Sequence, residues 1–585
     1  MAFQISPGVS VTEKDLTLIV PAVATTPAAF VGAFTWGPVE ETTLLTSKRD
    51  LLAKFGKPDR EATYARYWWT ASNFLDYGSN LNVVRVKVEG DKTSSCVGGI
   101  ENIFNDASYA SNATSHAAKG PWCARYPGKL GDSLKIVVLD NGGDPNTDST
   151  DLLNEYSDFI GNFDDAPATS VWAQGIGATN CKDELHVLVI DEGGLFSGVA
   201  GTVLEKFAFL SKASNAQNAD GQSNYYKDVI NTNSAYIRWL DHPTASGGTA
   251  DWGDFLDINS PKIFDRIQNA CQIKTLTGGV ITTITNSTTT VEGDCATAFE
   301  TFFLSGQNID VSILITGPMS ASFASQVINI AETRKDCVAF VSPNNNGNYS
   351  TIASQDLSEC LAYRSALNLS SSYGFMDSGY KLQYDSFNDR YIYVPLNADI
   401  AGCCVRTDTN QDPWFSPAGY DRGRIKNVVR LAYNPGQTDR DELYKKQINP
   451  VVTFPGEGAI LFGDKTLLNR PSAFDRINVR RLFIVLEKAI ATASRFILFE
   501  FNDEFTRNQF EQLVQPFLRE VAGRRGITDF RVVCDETNNT PYVIDSNGFV
   551  GDIFIKPTRS INFIQLNFVA VPTGLSFAEL TGTAS

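Results

Sequence analysis

The 585-residue chain has very few histidines: His116, His186 and His242 are the only three, and they are far apart in the sequence. No pair has the spacing of a zinc site such as HExxH, in which two imidazoles share one face of a helix. None lies in a nucleophile motif of the kind that builds a serine or cysteine hydrolase. We therefore expect no enzymatic activity, no metal site and no cofactor.

Paired cysteines and long apolar runs are also missing. The ten cysteines include the adjacent Cys403 and Cys404 but no CxxC pair, so zinc ribbons and thioredoxin-like chemistry find no support. Prolines or charged residues interrupt the most apolar stretches, 16–34 and 482–501, whereas a membrane span needs about 20 continuous apolar residues. The first eight residues do not resemble a secretory signal. We expect reduced thiols, made in a cytoplasm, and no membrane contact.

Positive charge is scarce as well. The chain has 49 Lys and Arg against 66 Asp and Glu, a net charge of −17. Because a phosphate backbone is bound by a basic surface, this balance argues against a nucleic-acid partner. Hydrophobic residues make up 43% of the chain, including 37 Phe, which is enough to build large cores or interfaces. The length predicts about two to four domains.

Two segments come close to ligand-binding motifs and then depart from them. Residues 458–466 resemble a P-loop, but Asp464 separates the second glycine from Lys465, so a negative charge stands where a phosphate would bind. Residues 144–155 have the oxygen spacing of an EF-hand, but Ser149 replaces the required glycine. We interpret both segments as structural turns.

The apolar pattern predicts a mixed α/β, multi-domain fold. Residues 310–341 show a strand–helix–strand pattern, with the helix over 320–334. Ser47 is suited to cap a helix over 47–55. The middle of the chain, 89–305, is rich in Asn, Ser, Thr, Gly and Asp, which favours a β-rich inserted region facing outward.

Three further elements follow from local composition. The Thr-rich stretch 275–291 predicts a β-hairpin, because β-branched residues favour strands. The apolar stretch 496–501 predicts a strand. Asn502 then predicts the cap of a helix that runs through Val521.

Two groups of residues are candidates for contact with another protein. In the N-terminal segment, Val9 and Val11 alternate with polar residues, which fits either a frayed terminus or a strand that pairs with another chain. Near the C-terminus, basic residues cluster in an otherwise acidic chain, on solvated helix faces or at protein contacts. The candidate contact residues are Ser6, Pro7, Gly8, Val9, Val11, Arg476, Arg480, Arg481, Arg519, Arg524 and Arg525.

An ordered series of short segments resembles the tail sheath proteins of contractile-tailed, myovirus-type bacteriophages. The resemblance covers both ends of the chain and little of the middle. The segments include Ser6-Pro7-Gly8-Val9, Phe34-Thr35-Trp36-Gly37-Pro38, Phe55-Gly56-Lys57-Pro58, Ser416-Pro417-Ala418-Gly419-Tyr420 and Phe474-Asp475-Arg476-Ile477-Asn478.

The resemblance implies a structural subunit that polymerises around an inner tail tube and contracts to drive the tube through the host envelope. It implies a homo-oligomer in stacked hexameric rings, with the tube, baseplate and tail terminator proteins as partners. It implies assembly in the host cytoplasm and a final place in the virion tail. The implied domains are an arm donated to a neighbour (1–22), a core in two parts (23–88 and 306–570), an inserted outer domain (89–305) and a tail (571–585).

Three alternatives remain at this point. The chain is a sheath subunit of a related machine, such as a pyocin-like particle or a type VI secretion system; an enzyme with a β-rich inserted domain; or a surface adhesin. If the sheath interpretation is correct, we expect that reversing the charge of Arg480 and Arg481 impairs assembly or tube contact without unfolding the monomer.

Overall fold

The computed structural model describes residues 26–140, 157–243, 251–257, 262–265, 267, 271–284, 289–344, 355–562 and 565. The chain divides into two compact units. The first unit lies within residues 21–492, and the second contains the described residues from 493 onward; the helix Ile477–Ser494 ends two residues past this boundary and is described with the first unit. The predicted arm, the predicted tail and the EF-hand-like stretch 144–155 lie outside the described residues.

The first unit holds most of the secondary structure. Its strands are β1 (Ala28–Gly32), β2 (Thr42–Leu45), β3 (Leu81–Arg85), β4 (Trp122–Ala124), β5 (Leu134–Asp140), β6 (Glu184–Asp191), β7 (Thr202–Ser211), β8 (Ile237–Trp239), β9 (Cys271–Thr275), β10 (Ile313–Ile315), β11 (Val338–Val341), β12 (Gly374–Asp377), β13 (Tyr380–Asp385), β14 (Arg390–Pro395), β15 (Arg430–Leu431), β16 (Ile448–Asn449), β17 (Val451–Phe454) and β18 (Gly458–Leu461). Its helices are α1 (Lys48–Phe55), α2 (Ala62–Phe74), α3 (Asp106–Asn112), α4 (Ser157–Ile160), α5 (Val171–Gly175), α6 (Tyr226–Asn233), α7 (Thr289–Phe303), α8 (Ala321–Arg334), α9 (Leu357–Leu367), α10 (Asn397–Asn410), α11 (Gln437–Lys445) and α12 (Ile477–Ser494).

A seven-stranded sheet forms the centre of this unit, in the order β16, β12, β11, β10, β1, β3, β2. All of its strands are parallel except β2, which runs antiparallel to β3. The middle strand β1 pairs on both sides, so that Phe30 lies between Val83 and Ile315. Strands from before and after the middle of the chain therefore share one sheet. The α/β prediction is confirmed.

Helices cover this sheet, and their apolar residues join those of the strands in one core. The predicted strand–helix–strand unit is confirmed, because β10 and β11 are parallel neighbours joined by α8. Local capping chemistry sets the helix starts: the Ser47 side chain accepts a hydrogen bond from Asp50 N–H, and Ser320 does the same for Phe323 N–H.

The predicted hairpin over 275–291 is wrong. Thr289 begins α7, whose apolar residues Val291, Cys295 and Phe299 recur with helical spacing and enter the main core. The described residues before this helix pair with distant residues, as in the bridge between Lys92 and Val280. Contacts with distant residues therefore determine the structure of this stretch more than the strand preference of threonine does.

A separate antiparallel sheet lies in the middle of the chain, in the order β7, β6, β5, β9. Strands β5 and β6 are almost entirely buried, with Ile136 opposite Val189. The short pair β4–β8 adds Trp122 and Trp239 to the same apolar cluster.

The second unit is small. It contains α13 (Glu504–Gly523), β19 (Ile527–Val533), α14 (Pro541–Asp545) and β20 (Asp552–Pro557). Helix α13 packs against β19. The predicted strand over 496–501 is wrong: residues 495–497 form a short 3-10 turn, and the chain then continues without regular structure. The helix cap is Asp503 and not Asn502, since the Asp503 carboxylate accepts the hydrogen bond from Thr506 N–H.

Across the described residues, none of the helices combines the length and the apolar character that crossing a membrane requires.

Candidate subunit-contact surfaces

The second unit exposes a two-stranded sheet. Strands β19 and β20 are antiparallel, with Phe530 opposite Ile555 and Arg531 opposite Phe554. Within the described part of the chain, neither strand pairs with a third. Among the described residues, each strand therefore has one edge without a neighbouring strand, which is a template for adding a strand from another chain.

Helix α13 fixes this sheet in place. Its buried residues include Phe510, Leu513 and Val514, which recur at helical spacing. The Phe510 ring lies 5.5 Å from the ring of Phe549, which precedes β20. This packing holds one face of the sheet, while alternate residues of β20 such as Phe554 remain exposed.

Three of the predicted contact arginines lie on the surface of this unit. The Arg519 guanidinium donates to Gln515 Oε1 at 3.0 Å. Arg524 lies 3.7 Å from Glu520 in an exposed ion pair. Arg525 follows at the end of the helix and is also exposed. These side chains are accessible to a partner.

Arg481 lies inside the first unit instead. Its Nη1 and Nη2 atoms donate to the two carboxylate oxygens of Asp408 at 2.8 and 2.5 Å. The side chains of Arg481 and Asp408 are only 6% and 3% exposed. Burial alone lowers the pKa of Arg481. The facing Asp408 carboxylate raises it by a larger amount, so the pKa of Arg481 lies above its ordinary value. The ion pair joins α12 to α10.

Arg480 is buried between two aromatic rings. Its guanidinium carbon lies 4.2 Å from the ring centre of Tyr373 and 4.0 Å from that of Phe474. Its Nη2 donates to Ser372 Oγ at 2.7 Å. Burial lowers the pKa of Arg480. The expectation that Arg480 and Arg481 can be reversed without unfolding the monomer is therefore corrected, because both cations have partners inside the fold.

The contacts of Arg476 show the structural role of Asp464 in the segment that resembles a P-loop. Its Nη1 donates to Asp464 Oδ1 at 3.2 Å and to the Tyr444 hydroxyl at 2.6 Å. Lys465 donates to the Tyr444 carbonyl at 2.8 Å. Asp464, which interrupts the P-loop pattern, and Lys465, which takes the place of its lysine, therefore both belong to an internal polar network. The candidates Ser6, Pro7, Gly8, Val9 and Val11 lie outside the described residues.

The histidines do not come together as a site. His186 is buried, and its ring stacks on Phe163 at 4.2 Å while Nδ1 accepts from Phe209 N–H. Burial lowers the pKa of His186. His242 Nδ1 lies 2.5 Å from the Tyr226 hydroxyl. In the described ranges no three His, Cys, Asp or Glu residues are grouped as a metal site would need.

A polar cleft of about 570 Å³ lies beside Arg364, Lys445 and Lys446. Arg364 donates to the carbonyls of Leu369, Lys446 and Leu467, so its cationic group is used to hold the chain. The Arg364 side chain is therefore a structural link between backbone segments at the wall of the cleft.

Sequence reasoning missed one exposed apolar segment. Phe496, Leu498, Phe499, Phe501 and Phe505 have exposures between 64% and 104%. We call these five residues the aromatic segment. Their apolar character predicts a buried strand. Their exposures show instead that they lie at the surface of the described structure.

Comparison with known proteins gives matches along the whole chain. Residues 307–467 match the phage tail sheath protein central domain, and residues 469–570 match the phage tail sheath C-terminal domain. The chain is 32% identical to the tail sheath protein of Enterobacteria phage T4, with 99% of each chain covered. It is 33% identical to the tail sheath protein of Vibrio phage KVP40, covering 99% of this chain and 100% of that one.

The fold also has a counterpart among solved structures. The crystal structure of the sheath tail protein from Listeria innocua aligns with a TM-score of 0.51 at 11% identity. The alignment covers 92% of this chain and 97% of that one, so the similarity concerns the fold as a whole.

Proposed function

Because the chain belongs to the family of phage tail sheath proteins, we propose that it polymerises around an inner tail tube and contracts to drive that tube through the host envelope. The full-length similarity to phage relatives favours a phage tail over a pyocin-like or type VI machine. The open-edged sheet of β19 and β20 carries the proposal, since it is suited to accept a strand from a neighbouring copy.

The chain plays a structural role and performs no catalysis. The energy for contraction is stored in the assembled lattice, which is held by a kinetic barrier at its subunit contacts. Rings then move on one another as nearly rigid bodies and exchange one set of contacts for a more stable one. No nucleotide is needed, and the internal network of Asp464 and Arg476 accounts for the P-loop-like sequence without one.

The domain arrangement follows the same logic. Residues 23–88 and 306–570 form the core, and 89–305 form the outer domain. Residues 1–22 and 571–585 are arms that reach neighbouring copies and add strands to their open sheets. The interleaving of β1 and β3 with β10 supports a core made from both parts.

The partners follow from the assembly. Copies of the chain form stacked hexameric rings around the tail tube protein, with the baseplate at one end and the tail terminator at the other. Assembly takes place in the host cytoplasm, and the product is part of the virion tail. Neither nucleic acid nor membrane is a partner of the sheath subunit.

Deletion of residues 1–15 tests the role of the arm. We expect a soluble, folded monomer that forms no hollow cylinders under negative-stain microscopy, because no strand is donated. The control is Val171→Ala, at an exposed valine outside the arm, which leaves the arm intact and should still assemble. Normal cylinders from the truncated chain would contradict strand donation, and a full-length chain that never polymerises would contradict the sheath function itself.

A further inference from the structure

The aromatic segment is unusual for the surface of a folded monomer. Its five side chains lie within ten residues, and Phe499 is fully exposed. Phe499 also has a φ of +72°, a left-handed conformation that a bulky side chain rarely adopts. Exposed apolar side chains in a contiguous patch indicate a binding surface, and backbone strain at such a patch is typical of functional positions.

A second aromatic surface lies on the first unit. Tyr420, Phe454 and Phe462 form a cluster with ring centres 5.3 to 6.3 Å apart. We call these residues the three-ring cluster. Phe454 ends β17 and Phe462 follows β18, so a hairpin holds both rings in position. Tyr420 and Phe462 are 52% and 43% exposed, which leaves ring faces available to a partner.

The charges at the margins of the two surfaces differ. At the aromatic segment, three exposed acidic residues, Glu500, Asp503 and Glu504, outnumber the exposed Arg495. At the three-ring cluster, the Arg440 guanidinium carbon lies 5.8 Å from the Phe454 ring centre, which places a cation against the rings. Exposed Arg424 is already paired with Glu457 at 2.7 Å, so Arg440 is the cation that can face the acidic margin. Arginine beside an aromatic face is also a common composition of interface centres.

We propose that the aromatic segment of one copy docks on the three-ring cluster of a second copy of this chain. The inference rests on the proposed sheath function and names one of its subunit contacts. Because the two surfaces differ, the contact is heterologous, and each copy offers one of each. Repetition of such a contact forms rings or open helical polymers and not closed dimers.

Site-directed cross-linking tests this contact. Glu500→Cys and Glu457→Cys place thiols beside the two surfaces at exposed positions, in a Cys96→Ser background, because the other nine native cysteines are buried. The variants are assembled, treated with a short bismaleimide and separated on a denaturing gel. We expect the double variant to give a ladder of covalent multimers, and an equal mixture of the two single variants to give dimers only.

Each other outcome overturns the proposal. If Glu500→Cys alone is cross-linked to itself, the contact is symmetric. If the double variant stays monomeric on the gel although microscopy shows cylinders, the aromatic segment meets something other than the three-ring cluster. If no cylinders form even from the unmodified chain, the sheath function fails first, and the two failures are thereby distinguished.

A second measurement tests the aromatic side chains themselves. We expect Phe499→Ser with Phe501→Ser to raise the critical concentration for polymerisation at least tenfold, because two exposed rings no longer become buried. The circular dichroism of the monomer should not change. Phe255→Ser, at a 65% exposed aromatic outside both surfaces, is the matched control and should polymerise normally. An unchanged critical concentration for the Phe499 and Phe501 variant overturns the proposal.

Discussion

Replacing Arg481 by methionine should destabilise the first unit strongly. The substitution keeps most of the apolar volume but leaves the Asp408 carboxylate in a site where it is only 3% exposed and has lost its bidentate partner. Breaking one side of a buried ion pair costs about 3–5 kcal/mol, since the remaining charge stays desolvated. At about 1.4 kcal/mol per tenfold change, the folding equilibrium should shift by two to four powers of ten.

Guanidinium unfolding followed by tryptophan fluorescence measures this loss. All eight tryptophans lie between Trp36 and Trp414, so the signal reports the first unit only. The matched control is Arg424→Met in the same unit, which removes an ion pair whose side chains are 55% and 46% exposed. Exposed pairs contribute about 0–1 kcal/mol, so this variant should shift the fluorescence transition only slightly.

The single variant Asp408→Leu and the double variant Arg481→Met with Asp408→Leu complete the cycle. Replacing both charges by apolar groups of similar size is often neutral, so much of the lost stability should return. A loss below about 1 kcal/mol for Arg481→Met, comparable to an exposed pair, would refute the reasoning. So would a double variant as unstable as the sum of its parts. Charge reversal at Arg481 would place two carboxylates together and should prevent folding before assembly can be measured.

Three further results are expected. Gly402→Ala should cost about 1–3 kcal/mol in guanidinium unfolding, because its Cβ would lie 2.5 Å from the Tyr77 ring, whereas Gly293→Ala, with open space around it in α7, should be neutral or slightly stabilising. Burial raises the pKa of Asp377 to about 8, so between about pH 4 and 8 the folded chain holds a proton that the unfolded chain has lost. Stability should therefore fall as pH rises through this window, and Asp377→Asn should remove that part of the slope. A thiol reagent should modify at most Cys96 quickly in the native chain and all ten cysteines after denaturation, since the other nine are buried.

Local chemistry made several elements predictable from sequence. The caps at Ser47 and Ser320 depend on side chains that bond to backbone only three residues away, so the signal is complete within a short window. The strand–helix–strand unit was predictable for a similar reason, because parallel strands need a crossover and α8 supplies it between consecutive strands. The α/β class of the core was predictable because it follows from this strand–helix–strand pattern.

The contacts that sequence reasoning misjudged depend on distant residues. Asp408 is 73 residues from Arg481, and nothing near either residue in the sequence indicates that they pair. A cluster of arginines on a helix therefore looks the same whether it is solvated or buried. The segment 496–501 shows the reverse case: its phenylalanines have the composition of a buried strand, and their exposure depends on the lack of a covering element among the described residues.

The order of the central sheet bears on how the proposed outer domain can vary. Strands β3 and β10, which precede and follow the middle of the chain, are both neighbours of β1. At about 4.8 Å per strand, they lie roughly 10 Å apart. The chain leaves the end of β3, and because β10 is parallel to it, the return must cross the sheet before β10 begins. Helix α7 makes that crossing and packs in the main core through Cys295 and Phe299. Among the described residues between β3 and α7, Val86, Val88, Ile281 and Ile284 belong to the main core or pack against it, and they lie near the two ends of that path. We therefore expect the part between these ends to tolerate changes of length or fold without shifting the register of the core strands, so that a sheath lattice built on core contacts can carry outer domains of different kinds.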